Sequence, residues 1–467
     1  MPASERMEAI LKSLDKAYSG PLHTVKEWDI KVLPTAIKGI LKKYGLANTY
    51  DPNIIINFDD ELADTFFKAG YELALALGLY CEDTERVIKV DENEIKLALS
   101  LLPKEVHFGT GRDEVVMRPR RPEDPYPPIA SGPLSIMVDE AYVVGLQAGI
   151  AKYRKLLDIL GGPTIEKASG RNVRSGTPYE TWLCFYENEL KRHALKIIDR
   201  ETMTTFSVNN AVTEYGFLSG VAAYAGTRPL SHCLIPSEMK VTFGTFHKVI
   251  SAINYGHWIH AGGPSNIGGY AGSVEGAILV GIANDILVTT ILRADNSNGN
   301  VFDIQKACNT LPKAQWGNSI ATQATARNTS IMADRITNQI SGPMTKDLFY
   351  ESAVGLMNLS VSGAAKSTLP RTAGGRYVNY ITPVEAWWCA QVFKSCAGMT
   401  RKTANEFAKA ILPKYQDNLA KPSRGLPCNE CFNFTTLEPS PEYFQLYKTI
   451  EKEMIDLGMP LEKYQVL

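Results

Sequence analysis

Two histidines and a tryptophan lie side by side just before a glycine-rich turn. The segment from 254 to 275 reads NYGHWIHAGGPSNIGGYAGSVE, and three of the seven histidines, His247, His257 and His260, fall between positions 247 and 260. An apolar run that ends in several glycines is typical of a strand whose end passes close to other backbone. We predict that this segment forms the floor of an active site. The alternative is a glycine-rich turn between a strand and a buried helix.

His257 and His260 are the first candidates for catalysis. On a strand, two residues three apart point to opposite faces, so both could bind one zinc ion only in a loop or a helix. We therefore predict that one of them acts as an acid near the substrate and that the site has no protein-bound metal, while metal assistance remains an open question. His232 is a third catalytic candidate. Its neighbours Cys233 and Glu238 are equally compatible with ordinary packing at a strand end.

Composition narrows the class of partner. The 467 residues contain 49 Lys and Arg against 50 Asp and Glu, a formal net charge of -1, which argues against nucleic acid as a partner.

A signal-peptide pattern is lacking and the longest apolar run is interrupted by Asn284 and Asp285, so we expect a cytoplasmic protein without membrane contact. Eight scattered cysteines predict reduced thiols, and Cys428 and Cys431 alone do not complete a zinc site.

The order of predicted elements indicates a barrel. Helix signals dominate residues 1–104, for example the capping box of Thr24 and Glu27. From residue 105 onward, short strand-like runs alternate with helices, two of which begin at the motifs TPYE (177–180) and TPVE (382–385). This alternation predicts a (β/α)8 TIM barrel over residues 105–467, ending in a loop and a helix, with an N-terminal helical segment packed on it as one structural unit. A doubly wound sheet is the alternative.

Several motifs, in order and at similar spacing along nearly the whole chain, resemble those of the monomethylamine:corrinoid methyltransferases. They are Lys68-Ala69-Gly70, Gly78, Tyr80-Cys81, Asp83-Thr84, Arg86, GTGRD (109–113), TPYE (177–180), Gly268-Gly269-Tyr270-Ala271-Gly272, Glu442-Tyr443, Gln445 and Tyr447. The resemblance implies a (β/α)8 barrel that moves a methyl group from a small substrate to the cobalt of a corrinoid on a separate protein. A D-x-H-x-x-G corrinoid-ligating motif does not occur in this chain, which agrees with a corrinoid protein as the partner.

The sequence departs from that family at the residue that holds the amine. Counting from the TPYE helix, Phe206 stands where the family has pyrrolysine, and Met344 replaces a glutamine. His232 or Cys233 and the neighbourhood of Gly262 stand in place of two glutamates. An aromatic ring would suit a site with Phe206, Trp258 and Met344. The resemblance to pyrrolysine-free relatives then implies demethylation of methoxylated aromatics, in which an acid stabilises the departing phenolate.

We therefore predict an O-demethylase that transfers the methyl group of an aryl methyl ether to a corrinoid protein. The motif resemblance adds Arg112, Asp113 and Tyr270 to the predicted substrate-binding residues. Two alternatives remain open: a methylamine or other N-methyl substrate, and a non-catalytic partner of the corrinoid protein. We expect the chain to form a homo-oligomer, and the predicted site residues should surround one cavity at the C-terminal end of the barrel.

Overall fold

The structure is a computed structural model, and it describes residues 3–133, 136–208, 213–236 and 238–466. Its centre is a closed barrel of eight parallel strands that follow one another around the barrel in chain order. The strands are β1 (Ile129–Gly132), β2 (Ile159–Leu160), β3 (Thr204–Phe206), β4 (Thr227–Leu234), β5 (Trp258–Gly262), β6 (Asn296–Gly299), β7 (Ala333–Arg335) and β8 (Lys366–Thr368). The predicted (β/α)8 barrel is confirmed.

Four longer helices precede the barrel, one follows each strand, and two more close the chain. The first four are α1 (Ala3–Ser19), α2 (Leu33–Lys43), α3 (Asp60–Leu77) and α4 (Glu92–Ser100). The helices that follow the strands are α5 (Glu140–Ala151), α6 (Pro178–Ile197), α7 (Glu214–Ala223), α8 (Phe243–Asn254), α9 (Val274–Ile291), α10 (Pro312–Asn328), α11 (Lys346–Val361) and α12 (Pro383–Ser395). The last two are α13 (Arg401–Ile411) and α14 (Pro441–Asp456).

Helix starts follow the local sequence. Thr24 and Glu27 form the predicted capping box, and so do Thr382 and Glu385 at the start of α12. In the TPYE motif the helix begins at Pro178, but the Glu180 carboxylate accepts hydrogen bonds from Gly176 N and from Thr213 instead of closing a box. Glu180 thereby ties the start of α6 to the segment that follows β3.

The N-terminal segment packs against the barrel and joins it by strand pairing. Helix α3 packs along α9, and the strand Leu79–Cys81 pairs with both Arg86–Ile88 and Lys240–Val241. In the sequence, the N-terminal segment is followed by a hairpin of Val106–Phe108 and Val115–Met117, and β1 comes after this hairpin. Its strands pair only with each other in the part of the chain that the structure describes, so they are not barrel strands. The division at residues 104 and 105 remains a prediction.

Helix α9 is almost completely buried. Its length and composition would suit a membrane span, but 94% of it is buried inside the protein. We therefore assign it to the core, where it packs on α3 and α10. The smaller paired strands are Lys167–Ala168 with Arg171–Asn172, Ser265–Ile267 with Val301–Asp303, and Phe432–Asn433 with Glu438–Pro439. All eight cysteines are buried and unbridged, including Cys428 and Cys431.

Candidate active site

Polar side chains fill the middle of the barrel. Alternate residues on each strand face inward, and several of the inward-facing groups contact one another. This central cluster consists of Ser131, Phe206, His232, His260, Asn298, Asp334, Lys366 and Thr368. Phe206 and Thr368 are the last residues of β3 and β8. The cluster therefore occupies the half of the barrel nearest the C-terminal ends of the strands, which is where barrel enzymes hold their active sites.

Asp334 and Lys366 form a fully buried ion pair at the centre of this cluster. Lys366 Nζ lies 2.8 Å from Asp334 Oδ2, and neither side chain is exposed to solvent. The ammonium also donates to Ser131 Oγ at 3.0 Å and Thr368 Oγ1 at 2.9 Å. Burial alone would raise the pKa of Asp334, but Lys366 and His260 outweigh burial and lower it. Asp334 is therefore an anion at neutral pH, neutralised locally by Lys366.

His232 and His260 stack face to face beside this ion pair. Their ring centroids are 4.2 Å apart at an interplanar angle of 15°, because the two residues are paired across β4 and β5. His260 Nε2 lies 3.0 Å from Asp334 Oδ2 and its ring is fully buried. His232 is partly exposed, whereas the other members of the cluster are buried.

The contacts of Asn298 assign the tautomer of His232. Asn298 Nδ2 lies 3.3 Å from Asp334 Oδ2 and 3.3 Å from His232 Nε2. Since the carboxylate can only accept, Nδ2 is the donor and His232 Nε2 accepts. The proton of a neutral His232 then sits on Nδ1, which makes that nitrogen a hydrogen-bond donor.

Burial keeps these imidazoles neutral. It lowers the pKa of His260 to about 4, helped by the nearby Lys366 and opposed by Asp334. Burial, with the charges of His260 and Lys366, also lowers the pKa of His232 well below its usual value. Neutral imidazoles can donate or accept hydrogen bonds at neutral pH, but they are poor proton donors.

His257 lies outside the barrel wall. Its Nδ1 contacts Ser231 Oγ at 2.9 Å, and its ring meets Tyr224 edge-on at 5.1 Å. Ser231 is the outward neighbour of the inward-facing His232 on β4. The opposite orientations of His257 and His260 are confirmed, but the structure does not place His257 in the interior with His232 and His260.

Phe206 is held in the interior from both sides. Its ring centroid is 5.5 Å from that of His232 and 5.4 Å from Lys366 Nζ, and the residue is only 4% exposed. From outside the barrel, Lys191 of α6 donates to the Phe206 carbonyl at 2.8 Å, which fixes the end of β3. The expectation that Phe206 is exposed in an open cavity is wrong, because only 4% of the residue is accessible to solvent.

Trp258, Arg112 and Asp113 lie at the opposite end of the barrel. Trp258 begins β5, and its Nε1 donates to the His107 carbonyl at 3.1 Å. The GTGRD turn contacts the start of β3, where Gly109 N donates to Thr204 Oγ1 at 2.7 Å. These groups therefore sit near the N-terminal ends of the strands. The prediction that they surround the same cavity as His232 is wrong.

Arg112 and Asp113 have structural partners at that end. The side chain of Asp113 is fully buried and accepts from Arg200 Nε at 2.8 Å and from Thr202 Oγ1 at 2.7 Å. Arg112 is largely exposed and pairs with Asp199. The two residues thus bind different partners, and Asp113 anchors the turn to the segment that enters β3.

Tyr270 and Met344 belong to loops that follow the C-terminal ends of strands. Tyr270 is 47% exposed in the turn after β5, with Lys240 Nζ 5.6 Å from its ring. Met344 lies in the loop after β7 and packs against the core formed around the helices α11, α12 and α14. At the end of β5, a side chain on Gly262 would lie 1.8 Å from the Asn298 carbonyl oxygen, so the close backbone approach predicted for this turn is confirmed.

Asp334 and Lys366 were not predicted from the sequence. In each case a single charged residue follows a short run of apolar or small residues, which is the available sequence signal. The two runs are Met332-Ala333-Asp334 and Ala364-Ala365-Lys366. Such a charge must be paired when it is buried. Over the described residues, His, Cys, Asp and Glu side chains form no group of three or more that could hold a metal ion.

Comparison with known proteins assigns the family. The model of the family described as "Monomethylamine methyltransferase MtmB" matches residues 9–459. The chain belongs to the monomethylamine methyltransferase family. It is 26% identical over 460 residues to monomethylamine methyltransferase MtmB of Methanosarcina mazei, covering 95% of this chain and 97% of that protein. It is 27% identical over 460 residues, with the same coverage, to MtmB3 of Methanosarcina barkeri.

Solved structures of the monomethylamine methyltransferase family have the same fold. The crystal structure of the Methanosarcina barkeri monomethylamine methyltransferase and a crystal structure of a hydroxylamine complex of MtmB each match with a TM-score of 0.92 at 24% identity, over 96% of this chain and 98% of theirs. The resemblance read from the sequence is confirmed at the level of the family. The protein is a corrinoid-dependent methyltransferase, and in this family the corrinoid is carried by a partner protein.

Proposed function

We propose that this protein transfers a methyl group from a small N-methylated cation to the cobalt of a corrinoid on a partner protein in the cytoplasm. The observation that carries the proposal is the covered ring of Phe206, which His232 and Lys366 already contact. A methoxylated aromatic ring would need such a face to stack against. A small cation does not, and the relatives named above are monomethylamine methyltransferases.

The charge balance of the reaction supports the same substrate class. Cobalt(I) attacks the methyl carbon in line, the carbon–nitrogen bond breaks, and its electron pair stays on nitrogen. An ammonium substrate therefore leaves as a neutral amine and needs no proton from the enzyme. An aryl methyl ether leaves as a phenolate, which a nearby acid must stabilise. His232 and His260 are kept neutral by burial and are poorly suited to that task.

The protein's own contribution is then to bind and to exclude water. Asp334, whose charge is balanced by Lys366, lies beside the stacked rings of His232 and His260. The partly exposed His232 is the group that we place in contact with the substrate. The low dielectric constant of the interior strengthens electrostatic interactions between these side chains and the substrate relative to the same interactions in water.

The test mixes the purified protein with a cobalt(I) corrinoid protein and follows conversion of the cobalt spectrum to methyl-cobalt(III). We expect conversion with a methylammonium-type donor and none with methoxybenzoates. The His232→Gln variant should slow transfer by about 10-fold or more, whereas the matched His257→Gln variant, on the outer wall, should not. Conversion with aryl methyl ethers alone would instead support O-demethylation, and conversion with neither would support a non-catalytic partner.

A further inference from the structure

Arg371 lies on the loop that follows β8, at the open end of the barrel. Two residues separate it from Thr368, so its Cα lies within about 10 Å of the central cluster. Its backbone N donates to Gln339 Oε1 at 3.1 Å, and the loop pairs with Asn338 after β7. These contacts hold the loop after β8 against the loop after β7.

The guanidinium of Arg371 has no anionic partner among the residues that the structure describes. It folds back over Gly375, where its Nε and Nη2 lie 3.0 and 3.1 Å from the position of a Cβ. The side chain is partly buried and donates no hydrogen bond to a described residue. Burial lowers the pKa of Arg371, and the positive charge of the nearby Arg376 lowers it further. No carboxylate opposes these two effects.

Two other buried arginines have carboxylate partners. Arg335 Nη2 lies 2.5 Å from Asp285 Oδ2, and Arg200 Nε lies 2.8 Å from Asp113 Oδ1. A partly buried guanidinium without a carboxylate partner can gain a charge-assisted hydrogen bond from an anion that reaches it. Arg371 and Arg376 together therefore leave an uncompensated positive charge at the mouth of the barrel.

We infer that Arg371 binds a carboxylate of the substrate, so that the methyl donor is an N-methyl compound that also carries a carboxylate. The planar guanidinium fork matches the two oxygens of a carboxylate. The loops after strands seven and eight bind anions in many barrels of this type. A substrate that places its carboxylate on Arg371 can extend its cationic nitrogen toward His232 and Asp334. This inference rests on the proposed function, whose substrate class it narrows.

The test is calorimetric titration of the full-length protein without its corrinoid partner. The probes are N-methyl amino acids with the carboxylate one to three carbons from nitrogen, methylammonium and inorganic phosphate. We expect at least one of the N-methyl amino acids to bind about 10-fold or more tightly than methylammonium. Arg371→Gln should remove that advantage and Arg371→Lys should retain part of it. Arg192→Gln, on the exposed face of α6, is the matched control and should keep it.

Melting curves of each variant establish that the protein being titrated is folded. Equal affinities for methylammonium and the N-methyl amino acids, or an advantage that survives Arg371→Gln, would overturn the inference. Phosphate binding stronger than that of every N-methyl amino acid would overturn it too, by assigning the site to a free oxyanion. Methyl transfer is a separate readout: if binding depends on Arg371 but no N-methyl compound is demethylated, the proposed function fails while the carboxylate site stands.

Discussion

Replacing Asp334 by asparagine should destabilise the protein through the lysine it leaves behind. The pair is separated by 2.8 Å and is fully buried, so its gross attraction is about 6 kcal/mol at an effective dielectric constant of 20. Loss of hydration offsets much of this in the intact pair. In Asp334→Asn the ammonium of Lys366 stays buried without its anion, which costs about 3 to 5 kcal/mol. Because Ser131 and Thr368 still accept from Lys366, we expect the lower part of that range.

Urea denaturation followed by circular dichroism measures this free energy of unfolding. Asp199→Asn is the matched control, because Asp199 is 73% exposed and pairs with an exposed arginine, and it should change stability by less than about 1 kcal/mol. Replacing both Asp334 and Lys366 by uncharged residues should destabilise less than the sum of the two single changes, by about 0.5 to 3 kcal/mol. The reasoning is refuted if Asp334→Asn unfolds at the same urea concentration as the unmodified protein.

Three further predictions concern Phe206, the buried histidines and the GTGRD turn. Phe206→Ala should lower the free energy of unfolding by about 3 to 5 kcal/mol; a loss below about 1 kcal/mol in urea denaturation would mean that the ring is not packed. His257 and His260 have pKa values lowered to about 4, so the unfolded chain binds more protons. The free energy of unfolding should therefore fall as pH drops from about 6.5 toward 4, by up to about 1.4 kcal/mol per pH unit for each histidine. This dependence on pH should be weaker in His257→Gln, and an unchanged dependence would exclude His257 as one of its causes. Asp113→Asn should destabilise by about 3 to 5 kcal/mol and Arg112→Ala by less than about 0.5 kcal/mol, with neither altering substrate affinity in titrations; a change in affinity would return these residues to the site.

The barrel could be predicted because each of its repeats leaves a local signal. Caps such as Thr382 with Glu385 mark helix starts, and they recur between short strand-like runs. The opposite orientations of His257 and His260 follow from the period of two in a strand, and the structure shows them. The long apolar segment after the glycines is the buried helix α9.

The site was predicted less well because it depends on contacts between distant strands. Asp334 and Lys366 meet only because β7 and β8 are neighbours, and nothing local in either run predicts the pairing. The prediction for the GTGRD turn names the wrong end of the barrel. The sequence of a strand that ends in a glycine turn is the same whether the strand belongs to the barrel or to a separate hairpin. Val106–Phe108 belongs to a separate hairpin. The turn after this strand contacts Thr204 at the start of β3. The assignment of Phe206 to the pyrrolysine position of the family stays a prediction, and the burial of its ring depends on contacts with His232 and Lys366 that no local sequence pattern shows.

The central claim is tested most directly by a single-turnover measurement of methyl transfer from an isotopically labelled N-methyl donor. The protein, its cobalt(I) corrinoid partner and an equal amount of a methoxylated aromatic are mixed, and the methyl group on cobalt is identified by its label. We predict that the labelled methyl of the N-methyl compound appears on cobalt and that one neutral amine is released for each methyl transferred. An unlabelled methyl on cobalt, with release of a phenol, would contradict the proposed function.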